Sequence, residues 1–320
     1  MSAPVELGEL AYEAIRLAFI PWQRERRIAK EQERIRLARL SSRVISAGYG
    51  HSIALRGDGG IACWGRNGDG RAPPGGIDGD FVAIVAGYHH SLALRGDGGI
   101  ACWGADYYGQ APPGGVDGDF VAIAAGFVHS LALRGDGNVA CWGSMNYGQA
   151  PPGGVDGDFV AIAAGYQHSL ALRRDGNVAC WGNNDEGQAP PGGVDGEFVA
   201  IAAGEYHSIA LRRDGGIACW GYNADGQAPP GGVDGDFVAI AAGDDYSLAL
   251  RRDGNIACWG NNDYRQAPPG GVDGDFVAIA AGSWHSLALR RDGGIACLGL
   301  NGEGQAPPGG VDGPFGHVDV

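Results

Sequence analysis

The sequence lacks any apolar run of about 18 residues, the length that a membrane-spanning helix requires, so a transmembrane helix is not expected. Basic residues are also scarce, because 23 Lys and Arg stand against 37 Asp and Glu and leave a formal net charge of −14. That balance opposes non-specific binding to nucleic acid or to an anionic membrane surface. The basic start of a secretory signal is missing too, since Glu6, Glu9 and Glu13 stand in its place. We therefore expect a cytoplasmic protein that binds neither nucleic acid nor membrane.

Turn-forming residues, in contrast, are abundant, and 60 Gly with 17 Pro exclude a helical bundle. The seven cysteines recur at a constant spacing of 39 residues, at Cys63, Cys102, Cys141, Cys180, Cys219, Cys258 and Cys297. A fixed period of this length indicates a repeat array. Seven copies fill residues 44–82, 83–121, 122–160, 161–199, 200–238, 239–277 and 278–316.

Each copy contains three short apolar runs, which in the fourth copy are residues 159–164, 169–172 and 177–181. Asp175 and Gly176, between the second and third runs, are typical of a tight hairpin. The runs are nearly continuous in their apolarity, which indicates strands covered on both faces. Both a linear stack of repeats and a closed ring of blades would cover the two faces of these strands. Seven antiparallel meanders favour the ring, because closure removes the end repeats that a solenoid must cap. The sequence therefore predicts an all-β, seven-bladed β-propeller over residues 44–320.

The repeat motif resembles that of a known family. Residues 163–188 read A-A-G-x-x-H-S-L-A-L-x-x-D-G-x-x-x-x-W-G-x-N-x-x-G-Q, which is similar to the repeat of the regulator of chromosome condensation family. The short linker with paired prolines is most similar to the bacterial branch of that family that includes β-lactamase inhibitor protein type II. The resemblance implies a seven-bladed propeller. It implies no single function, because the family includes nucleotide-exchange factors, ligase-associated domains, photoreceptors and enzyme inhibitors.

Residues outside the repeats predict an arm and a closing strand. Residues 1–43 form an arm in which apolar residues such as Leu7, Leu10 and Ala14 recur at helical spacing, and they carry nine basic and six acidic side chains. A short, basic α-helical arm attached to an acidic propeller can dock on its own propeller, on a second copy or on another protein, and the alternative is a solvated linker helix. We assign self-assembly through the arm to Arg24, Arg26, Arg27 and Arg34. Residues 315–320 resemble the opening strand of an eighth copy, and we expect them to close the ring by pairing with a blade built partly from the first repeat.

Two short windows differ between the copies: the pair of residues before each His-Ser and the four residues after each Trp-Gly. Strand parity places both windows on the same face, because the first and third runs of each copy point the same way. The windows are rich in aromatic residues, which provide a large contact area at low entropic cost. We predict a partner-binding face formed by Tyr49, Tyr88, His89, Phe127, Tyr166, Tyr206, Trp284, Tyr107, Tyr108, Tyr147, Tyr222 and Tyr264. Unselected drift of exposed loops is the alternative explanation of the variation.

The remaining recurrent residues favour structural roles. A catalytic base is needed once, whereas His recurs in six of the seven copies, so we expect buried imidazoles hydrogen-bonded to neighbouring backbone groups. Equivalent cysteines on a seven-membered ring are too far apart for disulfides and are expected to be packed thiols. The Asp-Gly-Asp sites, such as Asp117 to Asp119, offer too few oxygens for calcium and are better explained as turns.

The function predicted from these observations is a non-enzymatic protein-binding propeller, without cofactor or metal, that recognises a macromolecular partner through the aromatic loops. Two alternatives stay open: a structural subunit that self-assembles through the arm, and a proteinaceous enzyme inhibitor.

Overall fold

A computed structural model describes residues 43–316 together with Gln32. In this range the chain forms seven three-stranded antiparallel sheets, one from each repeat, and this confirms the predicted all-β propeller. No helix of the described residues is long and apolar enough to cross a membrane. The predicted assembly residues of the arm, Arg24, Arg26, Arg27 and Arg34, lie outside the described range, as do residues 317–320 of the predicted closing strand.

The strands of each blade are named inner, middle and third in chain order, and the seven inner strands contact one another around the central axis. The inner strands are β1 (Ile45–Ala47), β4 (Phe81–Ala86), β7 (Phe120–Ala125), β10 (Phe159–Ala164), β13 (Phe198–Ala203), β16 (Phe237–Ala242) and β19 (Phe276–Ala281). The middle strands are β2 (His51–Leu55), β5 (His90–Arg95), β8 (His129–Arg134), β11 (His168–Arg173), β14 (His207–Arg212), β17 (Tyr246–Arg251) and β20 (His285–Arg290). The third strands are β3 (Ile61–Gly65), β6 (Ile100–Gly104), β9 (Val139–Gly143), β12 (Val178–Gly182), β15 (Ile217–Gly221), β18 (Ile256–Gly260) and β21 (Ile295–Gly299).

The Pro-Pro-Gly-Gly linker adds a single bridge to the outside of each blade. In the second blade this bridge joins Ile100 to Val116. Gly115, which precedes it, has φ +85° and lies so close to the carbonyl oxygen of Ile100 that any Cβ would collide with it. The second glycine of the linker is therefore required by a close backbone approach as well as by its backbone conformation.

The hydrophobic core lies between neighbouring blades. In one cluster Leu92 and Ile100 of the second blade pack with Phe120 and Ala132 of the third. Six further clusters repeat this pattern around the ring, including one that joins the seventh blade to the first. Because both faces of each small sheet are covered in this way, the strands carry the nearly continuous apolar runs seen in the sequence.

A polar contact also links each blade to the next. The indole Nε1–H of Trp103 in the second blade donates to the backbone oxygen of Arg71 in the first, at 2.9 Å. Five further tryptophans donate equivalent bonds at 2.9 Å, and the one from Trp64 to Gln305 joins the first blade to the seventh. The seventh blade has Leu298 instead of tryptophan, so the backbone oxygen of Gln266 loses this donor.

The end of the described chain completes the first blade. Phe315 forms an antiparallel bridge with Arg56, and the amide of Gly316 donates to the backbone oxygen of Leu55 at 3.1 Å. In the second blade Phe81 is paired with Arg95, which is the equivalent of Arg56. Phe315 therefore takes the place of the inner-strand phenylalanine that the first blade lacks.

Candidate functional site: the upper face

The two variable windows of each blade lie side by side on the same face of the propeller, which we call the upper face. In every blade a backbone hydrogen bond of 2.8 Å joins them, as from Ala105 N–H to His89 O in the second blade. The other six bonds are Arg66 to Gly50, Ser144 to Val128, Asn183 to Gln167, Tyr222 to Tyr206, Asn261 to Asp245 and Leu300 to Trp284. Because both windows are connected to strand ends, the side chains of the upper face are displayed on a rigid scaffold.

Seven of the twelve predicted side chains form a continuous chain of ring contacts on this face. This aromatic arc consists, in spatial order, of Tyr264, Trp284, Tyr49, Tyr88, Phe127, Tyr166 and Tyr206. The tightest contact is the stacked pair Phe127 and Tyr166, with ring centroids 4.2 Å apart. Trp284 and Tyr49 meet edge to face at 5.0 Å. His89 contacts the arc from outside, with its ring 5.3 Å from that of Phe127.

The other predicted tyrosines lie farther from the axis, in the windows that follow the third strands. Tyr107 is 76% exposed, Tyr108 55% and Tyr147 49%, whereas Tyr222 is half-buried. The hydroxyl of Tyr107 donates to Asp69 of the first blade at 3.3 Å. These four side chains border the arc and do not continue it.

An acidic segment interrupts the arc in the fifth and sixth blades. This acidic notch consists of Glu205, Asp244 and Asp245 and lies between Tyr206, one end of the arc, and Trp284, the neighbour of its other end. Burial, followed by the repulsion of Asp245, raises the pKa of Glu205. Burial, followed by the repulsion of Asp225, likewise raises the pKa of Asp245. The notch is therefore a concentration of carboxylates that a bound cation would stabilise.

A hydrogen bond across the axis connects the arc to the notch. The hydroxyl of Tyr88 in the second blade donates to the carboxylate of Asp244 in the sixth. Asp244 is only 7% exposed, and burial raises its pKa to about 7, even though the bond from Tyr88 opposes that shift. Two blades that are distant in the ring thus meet above the centre of the upper face.

Arg71 is a residue of this face that the comparison of the seven copies did not identify. It is 1% exposed, donates to the backbone oxygen of Tyr88 at 3.0 Å and forms an ion pair with Asp69. Burial, followed by the cation of Arg71, lowers the pKa of His89 to about 4. The signal was present in the sequence, since Arg71 stands where the other six repeats have Gln.

The recurrent histidines form a structural ring, as expected, although the nature of their partner differs. Each imidazole is fully buried and lies within hydrogen-bond distance of a serine hydroxyl in the next blade, where we expected a backbone group. These contacts, the histidine belt, are His51–Ser91, His90–Ser130, His129–Ser169, His168–Ser208, His207–Ser247 and His285–Ser52, at 2.8–3.0 Å, with Tyr246–Ser286 in the seventh place at 3.0 Å. The contact from the seventh blade back to the first closes the belt.

The serine's second contact determines which ring nitrogen carries the proton. Ser208, for example, also lies 2.9 Å from the backbone oxygen of Gln188, an atom that can only accept. The hydroxyl donates its proton there, so Nε2–H of His168 must be the donor to Ser208. Within residues 43–316, the Nδ1 atoms of the six belt histidines have no hydrogen-bond partner. Burial lowers the pKa of His168 to about 3 and that of His129 to about 4, which keeps these imidazoles neutral.

The cysteines are packed as the sequence predicted. All seven are free and half-buried, and burial raises their thiol pKa values to about 11 or 12. Among the described residues no group of three or more His, Cys, Asp or Glu side chains is placed to hold a metal ion.

These features define a class: closed β-propellers whose blades are copies of one repeat, joined by a polar belt. The family model of the regulator of chromosome condensation (RCC1) repeat matches seven segments, namely residues 43–71, 81–110, 120–149, 159–188, 198–227, 237–266 and 276–305. The segments cover more than half of the chain, and the chain belongs to this repeat family. No curated protein sequence matches the chain.

Solved structures with the same fold come from several proteins. The CRINKLY WD40 ectodomain of the receptor kinase ACR4 from Arabidopsis thaliana is 25% identical, with a TM-score of 0.67, over 83% of this chain and 98% of that one. Human WBSCR16 is 21% identical, with a TM-score of 0.65, over 77% and 85%. Prp20p from Saccharomyces cerevisiae, described with its binding to Gsp1p and histones, is 22% identical, with a TM-score of 0.58, over 70% and 72%.

Proposed function

We propose that this propeller is a non-enzymatic binding module that captures a protein partner through its upper face. The observation that carries the proposal is the aromatic arc, in which seven rings, one from each blade, contact one another in sequence. Aromatic side chains that are held by their neighbours lose little entropy on binding and dominate the energetics of protein interfaces.

The arc can supply the core of such an interface. A buried aromatic side chain contributes about 150–250 Å², so a partner that covers several of these rings reaches a typical interface of about 800 Å² per protein. The exposed Tyr107, Tyr108 and Tyr147 surround this core and suit a wetter rim.

The acidic notch supports a more specific partner chemistry. Glu205, which is hydrogen-bonded to the side chain of Tyr206, and Asp245 are half-buried carboxylates, and the buried Asp244 is close enough to both for mutual repulsion. A lysine or arginine of the partner would lower their mutual repulsion and place its cation beside an aromatic ring. We infer that the partner presents a basic side chain at the notch and apolar side chains along the arc.

The symmetry of the belt supports a role without catalysis. The six imidazoles share one environment and are spread around the ring, whereas a general base must act at a single substrate. Protein binding by this fold has a precedent in Prp20p, which is described with its binding to Gsp1p and histones.

The test is selection from a displayed library of random peptides on the full-length protein. We expect enrichment of peptides that combine aromatic or aliphatic residues with Lys or Arg. Their binding should fall at least about tenfold in a Phe127→Ser/Trp284→Ser variant, because each lost anchor removes about 1–2 kcal/mol. Binding should fall as well in Glu205→Gln/Asp245→Asn.

The matched control removes exposed apolar side chains from the opposite face of the propeller. In Val82→Ser/Val121→Ser the selected peptides should bind as they do to the unchanged protein, because these two valines lie at the other ends of the blades. Peptides that lose affinity for this control but retain it for the arc variant would contradict the proposal.

A further inference from the structure

The propeller encloses an apolar axial channel. A cavity of about 340 Å³ is lined by the inner strands, mainly by alanines such as Ala163 and Ala202, and by Arg173, Arg174 and Arg213 near the hairpin turns. A smaller cavity of about 160 Å³ lies above it and is bordered by Tyr88 and Asp244. The bond between those two side chains crosses the upper end of the channel. The lower end of the channel, which we call the lower mouth, opens between the hairpin turns.

The chain enters the propeller at this lower mouth. The inner strand β1 runs toward the upper face, so its first residue, Ile45, lies at the lower end. Val44, just before it, is 5% exposed and belongs to one cluster with Val277 of the seventh blade and with Phe315. The chain that precedes Arg43 therefore joins the propeller beside the seventh blade.

Equivalent valines of the inner strands differ in exposure around this mouth. Val82 and Val121, in the second and third blades, are 43% and 45% exposed, whereas Val238 and Val277, in the sixth and seventh, are 0% and 2% exposed. Their neighbours in sequence are nearly the same. Blades four to seven have an arginine, such as Arg174, where the second and third blades have glycine. Val160 in the fourth blade is nevertheless only half-buried, so this arginine does not account for the complete burial of Val238 and Val277.

The rim of the mouth carries a carboxylate from each of six blades. Four of these carboxylates have arginine partners, in the pairs Arg174–Asp158, Arg213–Glu197, Arg252–Asp236 and Arg291–Asp275. In the second and third blades Gly96 and Gly135 replace the arginine, and within residues 43–316 the exposed Asp80 and Asp119 have no ion-pair partner. The rim therefore carries its unpaired negative charge in the second and third blades, within reach of a segment with nine basic and six acidic side chains.

We propose that the N-terminal arm, residues 5–40, docks in cis over the lower mouth of the axial channel, beginning on the inner strands of the seventh and sixth blades. The apolar positions that recur along residues 7–18, such as Leu10 and Ile15, face the alanine-lined channel, and the basic residues after Pro21 face the rim carboxylates. A helical segment of about 15 residues spans about 22 Å, enough to cross the mouth. The short connection at Arg43 gives docking in cis an effective concentration in the millimolar range, well above that of a second copy. The upper face stays free for a partner.

Lys30 provides a specific test, because it is the only lysine of the chain. Carbodiimide treatment of the full-length protein couples the Lys30 amine to a carboxylate in direct contact, and mass spectrometry of the digested protein identifies that carboxylate. Arg24→Lys, Arg27→Lys and Arg34→Lys, each combined with Lys30→Arg, move the single side-chain amine along the arm without changing its charge. A mixture of normal and ¹⁵N-labelled protein separates links within one molecule from links between two.

We expect links within one molecule to the rim carboxylates Asp80, Asp119, Asp158, Glu197, Asp236 and Asp275. A Leu10→Asp/Ile15→Asp variant should lose most of these links, because it places charge against the apolar channel. Three results would overturn the proposal: links mainly to carboxylates of the upper face such as Asp185, links mainly between light and heavy molecules, and no link from any of the four positions. The peptide-binding test of the upper face is independent of all three.

Discussion

The histidine belt makes the stability of this propeller strongly dependent on pH. Six imidazoles are buried in the neutral form, and the folded state holds their pKa values well below 6.5, at about 3 for His90, His168 and His285 and about 4 for His129 and His207. In the unfolded chain the same groups regain their ordinary pKa of about 6.5. Between about pH 4 and 6.5 the unfolded state therefore binds more protons, and the free energy of unfolding falls as the pH falls.

The expected loss is large. For a group with an unfolded pKa of about 6.5, lowering the pH to about 5.5 costs about 1.4 kcal/mol, so six such groups cost about 8 kcal/mol. The raised pKa of Asp244, about 7, acts in the opposite direction and returns about 2 kcal/mol over the same range. The net loss of about 6 kcal/mol is comparable to the whole stability of many domains, so we expect a weakly stable protein at pH 5.5 and acid unfolding below that pH.

The measurement is urea unfolding at a series of pH values between 8 and 5.5. The sixth blade offers a natural replacement, because Tyr246 takes the belt position there and retains the contact with serine at 3.0 Å. His168→Tyr should therefore lose about 1.4 kcal/mol less than the unchanged protein on going to pH 5.5. Tyr246→Phe serves as the control, since it breaks a belt contact without removing an imidazole and should lower stability equally at all these pH values. A stability that is flat between pH 8 and 5.5, or one with the same slope in His168→Tyr, would refute the reasoning.

Two further substitutions use positions at which one blade departs from the others. Leu298→Trp supplies the indole donor that the backbone oxygen of Gln266 lacks. It should raise the free energy of unfolding by about 1 kcal/mol and the Tm, measured by calorimetry, by about 2 °C. An equal gain in Leu298→Phe, which has no N–H, would contradict the hydrogen-bond explanation. Asp244→Asn removes a buried carboxyl whose raised pKa favours folding at low pH and loses that contribution as the pH rises through about 7. The gain in stability from this substitution, measured by urea unfolding, should be about 1.4 kcal/mol larger at pH 8 than at pH 6, and equal gains would contradict this cause.

The repeat made much of the fold predictable. Each 39-residue copy contains its own strands and its own Asp-Gly turn, so local pattern was sufficient to place three strands per blade. Strand direction was also sufficient to place both variable windows at the same end of the blade. Those inferences needed only interactions between residues close in sequence, and the same pattern recurs in seven similar copies.

The partner of the belt histidines was less accessible to sequence reasoning. Recurrence indicated a buried structural imidazole, but the acceptor is a serine about 40 residues away in the next blade, not a nearby backbone group. The motif His-Ser contains both residue types of the contact, but the histidine of one copy pairs with the serine of the next copy and not with the serine beside it. Only the packing of one blade against the next shows this.

The composition and period of this sequence by themselves determined a ring of seven antiparallel blades, free cysteines and an aromatic set of loops. Tertiary structure alone decided which aromatic residues join into one arc, why Arg71 is buried and how Tyr88 reaches Asp244 from a blade 156 residues away. The physical reason is that symmetric copies encode equivalent neighbourhoods, whereas these residues break the symmetry. Their surroundings are set by closure of the ring, which brings together side chains that no local pattern relates.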